Sequence, residues 1–405
     1  MPHGLNGNML WAGLLLATLG SNPAPAGADC SSSTCQNELV YVGTHGSILR
    51  PTDPPAADTS AEGIYAARLD ARSGQLTPLG QVARIDRANW LIAHPRLPIV
   101  YSVGMAEHDM LAEGTLYALS ADLKSGQLRE LNHVGAGGSD ATHLSIDPAS
   151  MTLFAANYGG GSVTVLPVDA DGSLQAVVAT QKHAGTGPSP RQRAPHAHSA
   201  LVDPSGRHVI SADLGADRVY VYNFDPGTRE LTAASEPFIS MAPGCGPRHV
   251  VFHPGGHWVF VNCEMTGEIH TFRWDAAATT LQPVQTISPY AEGYTGQKSS
   301  GELALSRDGK FLYMSLRFDG DALVTYTFDK RRGTLKEIQR VSPAGKTPWS
   351  FALDASGRWM LVANEASSSV NLFRVDPRSG KLASTDQSLS VPKPVAVLVL
   401  PAGGG

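Results

Sequence analysis

From Glu38 onward one pattern recurs along the chain. An apolar strand runs into Asp-Pro or His-Pro, a turn with Gly follows, and a second apolar strand comes next. The clearest copies begin at Leu144-Ser-Ile-Asp-Pro, Leu201-Val-Asp-Pro, Val250-Val-Phe-His-Pro, Leu303-Ala-Leu-Ser-Arg-Asp-Gly and Phe351-Ala-Leu-Asp-Ala-Ser-Gly, with a weaker copy at Leu91-Ile-Ala-His-Pro. A later turn, Gly-Gln-Leu or Gly-Thr-Leu in its clearest copies, marks Leu76, Leu128, Leu174, Leu231, Leu281, Leu335 and Leu382; the copy at Leu281 has lost its Gly. These marks lie 46 to 57 residues apart, the period range of propeller blades. One four-stranded blade cannot bury both of its faces, whereas a closed ring of blades can. Seven marks therefore predict an all-β chain, a seven-bladed β-propeller over residues 38–401. The tail Lys393-Pro-Val-Ala-Val-Leu-Val-Leu is a strong strand after the last mark, and Leu39-Val-Tyr-Val opens the first blade. The two are expected to complete one shared blade.

A length of 405 residues would ordinarily suggest two or three domains; the repeat places it in one. Gly at 42, Pro at 28 and only 17% charged residues suit short strands and turns better than surface helices. A net charge of -5 and the absence of any basic run give no electrostatic case for nucleic acid. Met9–Leu19 is apolar, Gly20–Pro25 is rich in breakers, and Ala26-Gly27-Ala28 has the form of a cleavage site. Residues 1–28 therefore read as a signal peptide, although the only charge before Arg50 on its basic side is the amino terminus. Residues 29–37 read as a short N-terminal extension. The expected location is periplasmic or secreted, with no membrane attachment after cleavage. Asp29 before Cys30 argues against a lipid anchor. The four cysteines, Cys30, Cys35, Cys245 and Cys263, permit disulfides in such a compartment. Their pairing stays open at the level of sequence, and free buried thiols are the competing reading.

Aligning the repeats shows where the chain departs from what the fold requires. The position entering each inner strand reads Asn89, His143, His198, Arg248, Glu302 and Trp349. The position ending the second strand reads Thr44, Asn157, Asp213, Glu264, Arg317 and Asn364. Two polar rings drawn from many blades would converge near one axis. Polar residues at strand ends often only satisfy turn backbone groups, and that reading fits Asn157, Asp213 and Asn364. It fits Arg248, Glu264 and Arg317 less well, because charges beside a narrow channel are costly unless paired or used. The loop Arg191-Gln-Arg-Ala-Pro-His196-Ala-His198 leads straight into an inner strand. Two histidines two apart on extended chain share a side, so a metal site is conceivable. A single histidine acting as a general base is the preferred reading, and neither metal nor cofactor is expected.

At these residues the chain resembles the lactonase family of seven-bladed propellers, which includes propeller-type 6-phosphogluconolactonase and carboxy-muconate lactonizing enzyme. The matching motifs are Tyr41-Val-Gly-Thr44, Ala156-Asn157-Tyr158-Gly-Gly-Gly, Ala194-Pro-His-Ala-His198, Ala212-Asp213-Leu-Gly, Gly246-Pro-Arg248-His and Ser300-Gly-Glu302. The resemblance implies a lactone hydrolase with a catalytic set His198, Arg248, Glu264 and Arg317, and a substrate site lined by His196, Asn157, Asp213 and Glu302. His198 or Glu264 would take a proton from water, and the two arginines would hold the substrate and its oxyanion. The partner implied is a small-molecule lactone, bound by a monomer. Two departures stand out: Leu316 where the family has Asn, and Trp349 where it often has Arg. The second removes a charge that would hold a phosphate. Two other activities fit the same pattern, a lactonizing one on muconates and a non-catalytic binding platform.

Overall fold

The computed structural model describes residues 37–46, 63–105 and 112–401. The leader, Cys30 and Cys35 lie outside these residues. Within them the chain forms seven antiparallel sheets of four strands each. Six blades run outward in simple sequence order from their inner strands, Leu91–Ala93, Ala141–Asp147, Ala197–Val202, Pro247–Phe252, Ser300–Leu305 and Pro348–Leu353. The remaining blade, blade one in chain order and followed by the other six as blades two to seven, is shared between the chain ends. Its inner strand, Pro394–Pro401, pairs antiparallel with Asn37–Thr44, placing Leu39 opposite Leu400 and Tyr41 opposite Leu398. Each inner strand touches the next around a closed circle.

The core follows from this geometry. Seven apolar clusters fill the seven seams between neighbouring blades. Inner strands are buried on both faces; Ala197–Val202 and Ser300–Leu305 are buried at every position. Outer strands alternate, as Leu382–Ser390 does, because one face meets water. The repeated Leu marks close the turns between third and outer strands. Gly74, Gly126, Gly172, Gly333 and Gly380 take positive φ two residues before the Leu, the setting glycine adopts without steric cost. Where that Gly is missing, Arg229 (φ 60°) and Thr279 (φ 58°) adopt the same left-handed setting before Leu231 and Leu281.

Cys245 and Cys263 form a disulfide, which resolves the pairing the sequence leaves open. Both are fully buried. The bond ties the loop before Pro247–Phe252 to the end of Trp258–Cys263, at a separation of 18 residues. Replacing both cysteines with serine is expected to destabilise the protein by about 3 kcal/mol, the loop-closure value for that span. Denaturant melts with and without reductant test this. Reductant should lower the wild-type midpoint to that of the double variant and leave the variant unmoved. Superimposable curves would mean that packing alone holds the segment.

Candidate active site

The inner strands do not begin as regular strands. Pairing with the second strand slips by one residue at Ala141/His143, Ala197/Ser199, Pro247/Val250, Ser300/Leu303 and Pro348/Ser350. Each slip is a β-bulge, which leaves a residue unpaired and re-aims its side chain. His198, Arg248, Glu302 and Trp349 sit on or beside these bulges. Asn262 holds one of them open. Its Oδ1 accepts from the backbone N–H of His249 (3.0 Å), and its Nδ2 donates to Ser300 Oγ (2.8 Å) and Gly301 O (3.0 Å) of the next blade.

The bulged ends converge. Trp90 lies 4.6 Å from His143 and 5.1 Å from His249 between ring centroids; His249 lies 5.4 Å from His198, and His198 lies 5.7 Å from Tyr158. At the centre stands Glu264. Its Oε2 is 3.1 Å from Arg248 Nε, 3.2 Å from Arg317 Nη2 and 3.6 Å from His198 Nε2; its Oε1 is 2.8 Å from Arg191 Nη1. Three guanidiniums therefore share one carboxylate. The Glu264 backbone is fixed between blades, with its N–H donating to Gly246 O (2.7 Å) and its carbonyl accepting from Ser300 N (3.0 Å). Arg317 is 1% exposed, with Nη2 donating to Ser299 Oγ (3.0 Å) and Trp349 4.4 Å from its guanidinium carbon. Arg248 is buried and donates to Gly301 O (2.9 Å) and to the His249 ring. Arg191, from the 3-10 turn Pro190–Gln192, is half exposed and also reaches Tyr158 Oη (3.2 Å).

These contacts fix the charge states. Burial raises the Glu264 carboxyl, but Arg317, Arg191, Arg248 and His198 together hold it well below the usual carboxylate range. It is an anion at any physiological pH. Burial, reinforced by Arg248 and opposed by Glu264, pulls His198 well below the usual imidazole value, so it is neutral. His143 and His249 are neutral for the same reason, burial first. Burial and the Arg317 charge lower the Arg248 guanidinium to about 10, which leaves it cationic at neutral pH.

Of the residues singled out in the sequence, His198, Arg248, Glu264 and Arg317 thus meet in one cluster. Glu302 stands behind it: His249 Nδ1 is 2.8 Å from its Oε1, and Ser350 Oγ donates to its Oε2 at 3.0 Å. His196 stacks on Tyr158 at 4.4 Å, with Nδ1 2.8 Å from the Tyr158 carbonyl. Asn157 and Asp213 are turned into the fold. Asn157 Nδ2 donates to Ser162 Oγ (3.2 Å) and Thr164 Oγ1 (3.4 Å). Asp213 bonds His183 Nδ1 (2.6 Å) and accepts from the N–H groups of His196 (2.9 Å) and Ala216 (2.8 Å). Both side chains are fully buried, so what they give the site is the placement of the loops they hold. Arg191 and His249 are additions that the strand pattern hides. Arg191 returns to the site from an irregular loop, and alternation along a regular strand would put His249 opposite Arg248. Among the described residues, the one geometric group of three possible metal ligands is Cys245, Cys263 and His270, and two of its members are the disulfide.

The family model for the seven-bladed lactonase propellers matches residues 40–399. The chain belongs to this family. A 6-phosphogluconolactonase of Bacillus subtilis is 32% identical over 340 residues, covering 84% of this chain and 95% of that protein. A 6-phosphogluconolactonase of Formosa agariphila is 29% identical, covering 81% of this chain and 93% of its own. The structure of a periplasmic gluconolactonase from Pseudomonas aeruginosa superimposes with a TM-score of 0.80 at 32% identity, over 90% of this chain and 99% of that one. Within the described residues, no helix is long and apolar enough to cross a membrane.

Proposed function

We propose that this lactonase-family propeller hydrolyses an unphosphorylated sugar lactone at the mouth of its channel, outside the cytoplasm. The observation that carries the reading is one buried carboxylate shared by three guanidiniums beside a neutral imidazole. Three cations against one anion leave positive charge available for a carbonyl oxygen that becomes an oxyanion. Arg248 and Arg317 polarise the lactone carbonyl. Water attacks the carbonyl carbon as His198 takes its proton, and Glu264, 3.6 Å away, stabilises the imidazolium that forms. The tetrahedral intermediate then collapses. The ring C–O bond breaks, the departing alkoxide takes the proton back from His198, and the carboxylic acid so formed releases the second water proton to solvent, leaving a carboxylate held by the same guanidiniums. The low proton affinity of Glu264 makes it the stabiliser rather than the base.

Two observations support the substrate class and the compartment. Trp349 covers Arg317 where a further cation would hold a phosphate. The Cys245–Cys263 disulfide belongs to an oxidising compartment, as does the periplasmic relative. The test is hydrolysis of glucono-δ-lactone and 6-phosphogluconolactone side by side, in wild type and Arg248→Ala. We expect kcat/KM at least tenfold higher on the unphosphorylated lactone, and a loss of about 10²–10³-fold in the variant. A preference for the phosphorylated lactone would overturn the substrate class. Rates equal to spontaneous hydrolysis would overturn the activity.

A further inference from the structure

Away from the guanidinium cluster, a cavity of about 620 Å³ opens beside blade six. It lies within the roughly 300–1,000 Å³ of small-molecule sites. Its floor is a pair of tyrosines, Tyr290 and Tyr294, stacked at 4.6 Å between centroids and 25° between planes. Its rim carries the carboxyl groups of Asp319 and Asp321 and the hydroxyl of Ser342. Arg340, the cation in its wall, is already engaged: it donates to Glu337 at 2.8 and 3.1 Å and to the Pro289 carbonyl at 2.6 Å. Two further cations stand nearby, Lys298 with Nζ 5.9 Å from the Tyr290 ring and Lys346 close enough to act on Asp321. Set against Asp319 and Asp321, they leave an aromatic wall edged by hydrogen-bonding oxygens with no surplus of positive charge to hold an anion.

We propose that this cavity is a binding site for a neutral pyranose ring. The tyrosine rings cover one another's inner faces, so the C–H face of a pyranose matches the outer face of the pair, and its hydroxyls match the carboxylate and hydroxyl groups of the lining. Several features look maintained for a ligand rather than for the fold. Tyr294 Oη and Asp321 Oδ1 are buried without a hydrogen-bond partner, which the fold alone does not call for. Gly320 lets the floor approach the wall, since a Cβ there would stand 3.1 Å from the Tyr290 ring and 3.2 Å from Tyr294 Oη. Phe318, whose ring is exposed, sits at φ 69°, a setting that costs an aromatic residue energy and collects at functional sites.

The cavity is tied to the guanidinium cluster through the chain. Asp319 and Gly320 follow Arg317 by two and three residues. Tyr290 Oη donates to the Ser299 carbonyl (3.2 Å), and the same carbonyl accepts from Arg317 N (2.9 Å). Asp321 Oδ2 accepts from the N–H of Thr347 (3.0 Å), two residues before Trp349. A ring bound here is either the outer glycosyl unit of an extended sugar lactone, an extension that rests on the proposed function, or a free saccharide.

Binding is read without catalysis. Methyl β-glucopyranoside and cellobiose are titrated into the mature protein by calorimetry and by saturation-transfer NMR, for wild type, Tyr294→Ala and Asp321→Asn. Thermal melts establish that each variant is folded. We expect both sugars to bind wild type, both variants to bind at least tenfold more weakly, and choline, as a cationic control, not to compete. Kinetics then separates the two sources. With an outer glycosyl unit, Tyr294→Ala lowers kcat/KM on cellobionolactone about tenfold and leaves glucono-δ-lactone unchanged. With a free saccharide, both lactones are unaffected while the binding loss remains. Either result supports the site, and so does sugar binding by a protein inactive on every lactone, which would sink only the proposed function. No sugar binding by wild type, equal binding by the folded variants, or displacement by choline would overturn it.

Discussion

Glu264→Gln is expected to lower kcat/KM by about 10³-fold and to destabilise the protein by roughly 3–5 kcal/mol. The two losses share one cause. Arg248 and Arg317 are buried and have Glu264 as their common anion. A carboxamide carries no charge and turns an N–H₂ group towards guanidinium donors. Arg191 is half exposed and can turn to water, but the other two cannot. Their repulsion would move the groups that polarise the carbonyl, and His198 would lose the anion that stabilises its protonated form. Acid melts give a second reading. The carboxyl is held below its ordinary value in the folded state, so its stabilisation is complete above about pH 4.3 and is lost as pH falls from there. Wild type and variant should therefore differ most near neutrality and approach one another in acid. Glu264→Asp, which keeps the charge with a shorter reach, should recover most of the stability and little of the rate. Near-wild-type turnover by the Gln variant would reduce Glu264 to an ion-pair partner.

The repeat made the architecture legible because a propeller asks for the same turn chemistry in every blade. Leu76, Leu335 and Leu382 could be counted without knowing how the blades meet. The closure of blade one was legible too, since a strong strand at Pro394–Pro401 had no other partner. The charged cluster could be read for a related reason: Arg248, Glu264 and Arg317 break a pattern that the fold otherwise repeats. Asn157 and Asp213 occupy the same aligned ring as Glu264, and the reading of them as residues that satisfy turn groups matches their bonds to Ser162, to His183 and to the N–H groups of His196 and Ala216. Two things were hidden. His249 was hidden by its bulge, which defeats the two-residue alternation that strand reasoning rests on. Arg191 was hidden by its loop, because no periodicity says where an irregular segment returns. The disulfide partners were visible, but their bonding depends on a Cα separation of 4.9 Å that only the folded chain supplies.

The bulges also explain why one surface of a repetitive fold becomes a site. A regular inner strand would point alternate side chains into the two seams beside it, where the fold wants apolar residues. Slipping the register by one residue at the entry releases a single side chain per blade from that demand. Blades four to seven use this freedom for different chemistry around one opening: imidazole at His198, guanidinium at Arg248, carboxylate at Glu302 and indole at Trp349. The rest of each strand stays apolar and keeps the ring closed.

His198→Asn should lower kcat/KM by about 10²–10⁴-fold, the usual worth of a positioned general base. It should also change the pH profile, which a merely structural residue would not do. A base acts when neutral. Burial and Arg248 keep His198 neutral well below the usual imidazole value, so wild-type kcat/KM should hold its plateau below pH 6.5, with the acid limb further down. Any residual activity of the variant should lack that limb. The same burial carries a stability signature. Below about pH 6.5 the unfolded chain protonates histidines that the folded chain keeps neutral, so stability falls as pH falls. His143, His198 and His249 act together in this, with a limiting slope of about 4 kcal/mol per pH unit for three protons. His45, His94, His253 and His270 are also held low, chiefly by burial, and add to the total. Removing His198 should therefore lower the measured slope by one proton's share, about 1.4 kcal/mol per pH unit at most, in denaturant melts between pH 7 and pH 5. An acid limb at or above pH 6.5 in the wild type, together with an unchanged stability slope in the variant, would show that His198 is neither buried neutral nor the base. The proton would then have to pass through another of the channel imidazoles, with His249, 5.4 Å from His198, the next residue to replace.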